Sequence, residues 1–151
     1  MEAGLVKRLR REESLLSEGD EGGYFLQRVG GGLVFEGFVE GPEGSLYSGL
    51  RYLVRFVLEP SYPATPPRVF FATGIFHPNI DSKGTVCMDL LKEKWCMAFT
   101  LRSLLEVLRQ LLREPNPDSP LNVDAAILFR QGKLNLMREL VLLNYDSQTA
   151  I

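Results

Sequence analysis

The residue with the clearest chemical capacity in this chain is a cysteine within a short polar and aromatic stretch. Cys87 lies ten residues after His77, eight after Asn79 and eight before Trp95. A thiol can attack a carbonyl carbon and hold an acyl group, but a cysteine hydrolase also needs a base beside that thiol. His77 is the only histidine, and Pro78 and Asn79 follow it in a sequence typical of a fixed turn. A hydrolase is therefore disfavoured. Taken without its surroundings, Cys87 is more readily a small buried hydrophobe, the commonest fate of a free cysteine.

The cysteine and histidine content restricts the other kinds of site. The chain has 2 cysteines, Cys87 and Cys96, and 1 histidine. These are too few for a disulfide framework or for a closed zinc site of about four ligands. We therefore expect two reduced thiols, no metal and no cofactor.

Length and composition predict one domain over residues 1–151. A chain of 151 residues with 45% hydrophobic content can bury one sizeable core. The net charge of −2 argues against a nucleic-acid binder. No apolar run approaches the roughly 18 residues of a membrane span, and residues 1–8 lack the apolar region of about 7 to 15 residues of an export signal. We expect a monomer in the cytosol, the nucleus or both.

The first half of the chain changes from a helical period to a strand period. Residues 4–17 predict a helix with Leu5, Leu9 and Leu16 on one face. From residue 24 to 58 the period shortens to two, with glycine-rich breaks at residues 30–32 and 41–44. One side of the last strand in this region is entirely apolar: Tyr52, Val54, Phe56 and Leu58. With a further strand at residues 68–72, the pattern predicts a four-stranded antiparallel meander.

Three helices are predicted after Trp95. Thr100 can cap a helix over residues 101–113, which carries a broad stripe of leucines. The proline-rich residues 114–120 end it. Asn122 can cap a second helix up to about residue 131, and Gly132 separates it from a third near residues 133–145. The order of a helix, four strands, a long active-site segment and three helices predicts an α+β domain.

This order of elements and motifs resembles the catalytic core of ubiquitin-conjugating enzymes over almost the whole chain. The motifs that carry the resemblance are Tyr62-Pro63, Pro66-Pro67, His77-Pro78-Asn79, Cys87, Trp95 and Pro115-Asn116-Pro117. The resemblance implies that Cys87 accepts the C-terminal carboxyl group of ubiquitin, or of a related modifier, from an activating enzyme. Cys87 would then deliver it to a lysine of a substrate protein, usually with a ligase. Thioester exchange begins and ends with a thioester, so no histidine base is needed.

The resemblance also implies supporting roles around Cys87. Asn79 would donate a hydrogen bond to the oxyanion that forms during attack by lysine, or to the loop beside it. His77 and Pro78 would hold that loop. Tyr62 and Trp95 would be packing residues that frame the site.

The positions Asp118 and Ser119 lie where the family places a gate beside the cysteine. Many members carry an acidic residue at the position of Ser119, where it helps to hold and deprotonate the incoming lysine. Here a hydroxyl replaces it. Either Asp118 serves instead, or discharge to lysine without a ligase is modest. Phosphorylation of Ser119 would restore the missing negative charge.

Two partner surfaces follow from the same resemblance. Lys7, Arg8 and Arg11 align with basic residues that family members present to the activating enzyme, although a merely solvated helix face explains them as well. The ligase-facing loops depart from the family pattern at three positions: Ala64, Cys96 and Met97. Ala64 replaces a common phenylalanine, and Cys96-Met97 replaces a common Ser-Pro. Because an aromatic anchor is missing, common ligases are expected to bind poorly.

The identity of the modifier stays open between two classes. The direct run from Cys87 to Trp95 lacks the insertion of SUMO-conjugating enzymes, which disfavours SUMO. Residues 91–95, 114–117 and 120–122 also resemble neddylation enzymes, but the long basic N-terminal extension of those enzymes is missing. We expect ubiquitin. A catalytically weak ubiquitin-binding module is a further alternative, which the presence of Cys87 disfavours.

Overall fold

A computed structural model of the chain describes residues 1–18 and 22–146. The described residues form, in order, α1 Ala3–Leu16, β1 Tyr24–Arg28, β2 Val34–Glu40, β3 Arg51–Val57, β4 Arg68–Phe71, α2 Met88–Lys94, α3 Leu101–Arg113, α4 Val123–Arg130 and α5 Leu134–Asp146. None of the helices in these described ranges is long and apolar enough to span a membrane. The α+β class is the one predicted, and so is the order of elements apart from α2.

The four strands form one antiparallel sheet in the order β1-β2-β3-β4. Phe35 on β2 pairs with Phe56 on β3, which pairs with Val69 on β4. All three side chains are buried, whereas Arg51 and Arg55 on β3 are exposed. Since successive side chains of a strand point to opposite faces, this alternation confirms the predicted meander and its inward face.

Helix α3 contributes much of the core that this face packs against. Five of its leucines are buried: Leu101, Leu104, Leu105, Leu108 and Leu112. Burying one such side chain stabilises a fold by about 1.5 to 3 kcal/mol. The Thr100 hydroxyl accepts a hydrogen bond from the Ser103 backbone N–H at 3.1 Å, so the predicted cap and helix are confirmed. The Asn122 cap of α4 is confirmed too, because its Oδ1 accepts from the Ala125 N–H at 3.1 Å.

One element was missed from the sequence, the seven-residue helix α2 within the long active-site segment. Its buried residues are the adjacent pair Leu90 and Leu91, which shows no helical spacing. A helix this short is specified by its packing more than by its own periodicity. The cis peptide bond in the described residues is Tyr62-Pro63.

The active-site segment is fastened to the sheet beside β4. The Phe71 N–H donates to the Gly84 carbonyl at 2.7 Å, and the Val86 N–H donates to the Val69 carbonyl at 3.1 Å. Gly84 has φ +88°, and a Cβ there would lie 2.0 Å from the Phe71 oxygen. Only glycine therefore fits this approach. The result is that Cys87, which follows Val86, is placed relative to the sheet by backbone contacts.

Candidate active site

The His77-Pro78-Asn79 turn is buried, and its imidazole is fully used in holding the backbone. His77 Nδ1 accepts a hydrogen bond from the Asn79 N–H at 2.9 Å, so Nε2 carries the proton and donates to the Leu111 carbonyl at 2.9 Å. Burial lowers the pKa of His77 to about 4, and the hydrogen bond to Leu111 opposes this shift only in part. The ring is neutral at physiological pH. It has no free nitrogen with which to serve as a base.

The Asn79 side chain fastens the loop of residues 115–121, called here the gate loop. Its Nδ2 donates to the Asn116 carbonyl at 2.6 Å and to the Ser119 carbonyl at 2.9 Å. Its Oδ1 accepts from the Asn116 N–H at 2.9 Å. Both amide hydrogens are thus occupied, and Asn79 has no solvent exposure. Donation to an oxyanion requires that one of these bonds be exchanged.

Cys87 lies against this turn at the start of α2. Its backbone N–H donates to the Asn79 carbonyl at 3.0 Å, and 7% of the residue is exposed. The turn, the gate loop and the thiol therefore share Asn79 as their common support. No group of three or more histidine, cysteine or acidic side chains within the described ranges is arranged to hold a metal ion.

The end of the gate loop is held by Pro78. Its carbonyl accepts from the Leu121 N–H at 2.8 Å and from the Asn122 N–H at 3.1 Å. Ser119 is joined to Asn79 through its backbone carbonyl. Of the residues predicted from the sequence, Asn79, His77, Pro78 and Ser119 are thus linked in one network around Cys87.

The carboxylate of Asp118 is engaged elsewhere. It forms an ion pair with Arg130 on α4 at 2.7 Å, and its side chain is 83% exposed. An exposed pair of this kind contributes about 0.2 to 1 kcal/mol, so exchange of the partner costs little. The pair engages Oδ1 of this carboxylate.

Tyr62 and Trp95 belong to a second network, which joins helix α1 to the two loops that contain these residues. The Tyr62 hydroxyl donates to the Glu12 carboxylate on α1, and Trp95 Nε1 donates to the Pro63 carbonyl at 2.9 Å. Their ring centroids are 5.6 Å apart. Burial, and secondly the hydrogen bond to Glu12, raise the pKa of Tyr62 well above its usual value, so the hydroxyl remains a donor. Among the described residues, neither side chain makes a hydrogen bond or a ring contact with Cys87.

The three basic residues predicted to contact an activating enzyme fall into two kinds. Lys7 and Arg11 are exposed on α1. Arg8 instead joins the second network: it pairs with Glu12 at 3.1 Å and donates to the Met97 carbonyl at 3.0 Å. We call Arg8, Glu12 and Tyr62 the Arg8 cluster. The three positions predicted to face a ligase are all exposed: Ala64, Cys96 and Met97.

Two residues that hold these networks were given no role from the sequence. Asn116 lies inside the Pro115-Asn116-Pro117 motif. That motif drew attention to the residue but did not indicate what it does. Glu12 shares the helix face of Leu5 and Leu9, since residues 5, 9 and 12 follow helical spacing. An acidic residue on that apolar face was the available signal.

A protein-family model described as "Ubiquitin-conjugating enzyme" matches residues 8–141 of this chain. That range includes Cys87, the turn, the gate loop and the Arg8 cluster. The chain belongs to the ubiquitin-conjugating enzyme family. The recognition from the sequence is thereby confirmed.

Individual relatives agree with this membership. Over 109 residues the chain is 36% identical to "Ubiquitin-conjugating enzyme E2-20 kDa" of Schizosaccharomyces pombe, a match that covers 72% of this chain and 62% of that protein. The E2 domain of a Toxoplasma gondii ubiquitin-conjugating enzyme is 32% identical, with a TM-score of 0.82 over 97% of this chain and 99% of the other. The H. polymorpha ubiquitin-conjugating enzyme Pex4p, solved in complex with the soluble domain of Pex22p, is 26% identical, with a TM-score of 0.88 over 99% and 100%.

Proposed function

We propose that this protein accepts ubiquitin from an activating enzyme as a thioester on Cys87 and transfers it to a lysine of a substrate protein. In the first step the Cys87 sulfur attacks the thioester carbonyl of the charged activating enzyme, whose own thiol leaves. In the second step a lysine nitrogen attacks the Cys87 thioester, the sulfur leaves, and an isopeptide bond replaces the thioester. The amine proton passes to a base or to solvent.

One observation carries this proposal. Cys87 is attached through the Asn79 backbone to a network that also fixes the gate loop, while the one histidine is neutral and occupied on both nitrogens. Such a site offers a positioned thiol without a base, which suits thioester exchange and not hydrolysis of an amide or ester. The second step needs more help, because the attacking amine must lose a proton while the tetrahedral oxyanion is stabilised.

The partners follow from this chemistry and from the family. They are ubiquitin, an activating enzyme, a ubiquitin ligase and a substrate protein. The exposed basic residues Lys7 and Arg11 on α1 suit the activating enzyme. The exposed positions Ala64, Cys96 and Met97 suit the ligase. The ligase must accept loops without a large aromatic side chain at Ala64.

The test is a charging reaction with the purified protein, an activating enzyme, ATP and ubiquitin, resolved on a gel without reductant. We expect a band heavier by one ubiquitin that disappears with thiol. The neddylation modifier with its own activating enzyme is the parallel arm. Charging by that arm alone would reassign the modifier, no band in either arm would indicate a binding module, and hydrolysis of a model ester would indicate a hydrolase.

A further inference from the structure

The buried carboxylate of Glu12 has no part in the chemistry at Cys87. Glu12 has no solvent exposure, and its two oxygens accept hydrogen bonds from three donors. The donors are Arg8 Nε on α1 at 3.1 Å, the Leu101 N–H at the start of α3 at 3.0 Å, and the Tyr62 hydroxyl after β3. A buried carboxylate is tolerated only when such donors surround it. Glu12 therefore connects α1 to two other parts of the fold.

Arg8 extends this connection to the loop of residues 95–99. Its NH1 donates to the Met97 carbonyl at 3.0 Å and its NH2 donates to the Phe99 carbonyl. Its guanidinium carbon lies 5.4 Å from the Tyr62 ring centroid, within the range of a cation–π contact. A planar guanidinium offers five N–H donors, so Arg8 can bind the Glu12 carboxylate and both carbonyls together. A lysine ammonium is a single point and cannot do so.

The two loops that the Arg8 cluster reaches are also joined to each other. Trp95 Nε1 donates to the Pro63 carbonyl, and the Trp95 ring lies 5.6 Å from Tyr62 and 6.2 Å from Phe99, between centroids. These loops hold all three ligase-facing positions. Ala64 and Cys96 carry small side chains, whereas Met97 is large and 60% exposed. The position at which a partner meets Met97 depends on how the backbone of its loop is held.

Arg8 differs from the other two predicted basic residues of α1 in its burial and in its ion pairing. Its side chain is 16% exposed, whereas Lys7 and Arg11 are exposed and have no ion-pair partner among the described residues. A residue with its donors already used inside the fold is a poor contact for another protein.

We propose that Arg8 and Glu12 are positioning residues that fix the two ligase-facing loops from inside the fold, and that Lys7 and Arg11 alone among the predicted basic residues contact the activating enzyme. This inference rests on the proposed function for the names of the partners. The hydrogen-bond geometry of the cluster stands without it.

The experiment compares Arg8→Lys, Tyr62→Phe and the double variant Lys7→Glu/Arg11→Glu with the wild type. Trp95 is the only tryptophan of the chain, so its fluorescence and its quenching by iodide report directly on the loop of residues 95–99. Charging by the activating enzyme and discharge of the Cys87 thioester to free lysine are measured in parallel. Tyr62→Phe removes only the hydroxyl and keeps the ring, which makes it the mild variant if Arg8→Lys folds poorly.

We expect Arg8→Lys to raise quenching of Trp95 by about twofold while its charging and its lysine discharge stay within about twofold of wild type. Tyr62→Phe should give a smaller change of the same sign. The double variant should lower charging by about tenfold, through loss of charge complementarity, with Trp95 unchanged.

Three results would overturn the inference. These are a loss of charging in Arg8→Lys equal to that of the double variant, an unchanged Trp95 signal in both Arg8→Lys and Tyr62→Phe, or full charging of the double variant. A wild type that forms no thioester contradicts the proposed function instead. In that case the Trp95 measurements still decide whether the Arg8 cluster fixes the loops.

Discussion

Two buried polar networks fix loops in this protein, and they do so with opposite chemistry. Around Cys87, the holding groups are the neutral imidazole of His77 and the neutral amide of Asn79. At the start of the chain, the Arg8 cluster uses a guanidinium and a carboxylate. Each network joins one turn or helix to loops that are distant in sequence.

The choice of neutral or charged groups matches whether a reaction takes place beside the network. Attack on the Cys87 thioester creates negative charge, and a fixed charge nearby changes the energy of that step strongly where the surroundings are poorly solvated. Neutral amides hold the gate loop without adding net charge there. No bond is made or broken at the Arg8 cluster, so a charged pair can be buried as long as every donor and acceptor is satisfied.

The strongest test of the comparison removes the reacting atom. Cys87→Ala should abolish charging, and Cys87→Ser should trap an oxyester that resists thiol but yields to alkali. Cys96→Ala, in the loop next to the Arg8 cluster, is the matched control and should charge normally. The readout is the ubiquitin adduct on gels with and without reductant. If charging depended on Cys96 instead, the assignment of the two regions would be reversed.

The next test loosens the neutral network. Asn79→Ala leaves the Asn116 N–H and two gate-loop carbonyls without their partner, so discharge to lysine should slow by about 10² to 10³. Charging should change far less, because thioester exchange demands less stabilisation of an oxyanion. Single-turnover rates of both steps provide the measurement.

Asn79→Asp sharpens this result. It keeps the acceptor for the Asn116 N–H but sets a carboxylate oxygen against the carbonyls of Asn116 and Ser119. We therefore expect it to slow discharge about as much as Asn79→Ala. Equal losses in charging and discharge would show that Asn79 acts on the whole site as a scaffold.

The neutral network should also make stability depend on pH. His77 has a folded pKa of about 4 against 6.5 for the free side chain, so the unfolded chain binds the extra proton as pH falls from about 6.5 to 4. As the pH falls through this window, the contribution of His77 to the free energy of unfolding falls by about 3 kcal/mol. Above about pH 6.5 this contribution is constant. Urea unfolding across this range should show the slope. His77→Gln should flatten it, whereas Tyr62→Phe in the Arg8 cluster should retain it.

The smallest effect is expected from adding a charge to the gate loop. Ser119→Asp should raise discharge to free lysine by less than about tenfold, since a carboxylate there helps to deprotonate the amine. The gain should shrink as pH approaches the lysine pKa of about 10.4. Discharge rates between pH 7 and 10, with charging as the control, measure it. No gain at any pH would mean that Asp118 or the ligase already fills this role.

The amino-acid sequence determined the elements that have their own periodicity or caps. The leucine stripe of α3, the Thr100 and Asn122 caps and the alternation along β3 are local patterns, and the structure confirms each of them. The sequence also located Cys87 and the motifs around it, because their spacing along the chain is itself the signal. Family membership followed from that spacing.

Tertiary structure alone decided what the polar side chains bind. Asn79 meets Asn116 across 37 residues, and Arg8 meets Phe99 across 91, distances at which no local pattern carries information. The sequence therefore grouped Arg8 with Lys7 and Arg11 as surface charges, and Tyr62 with the Cys87 site. Burial separates them, because a polar group removed from water must find partners wherever the fold supplies them.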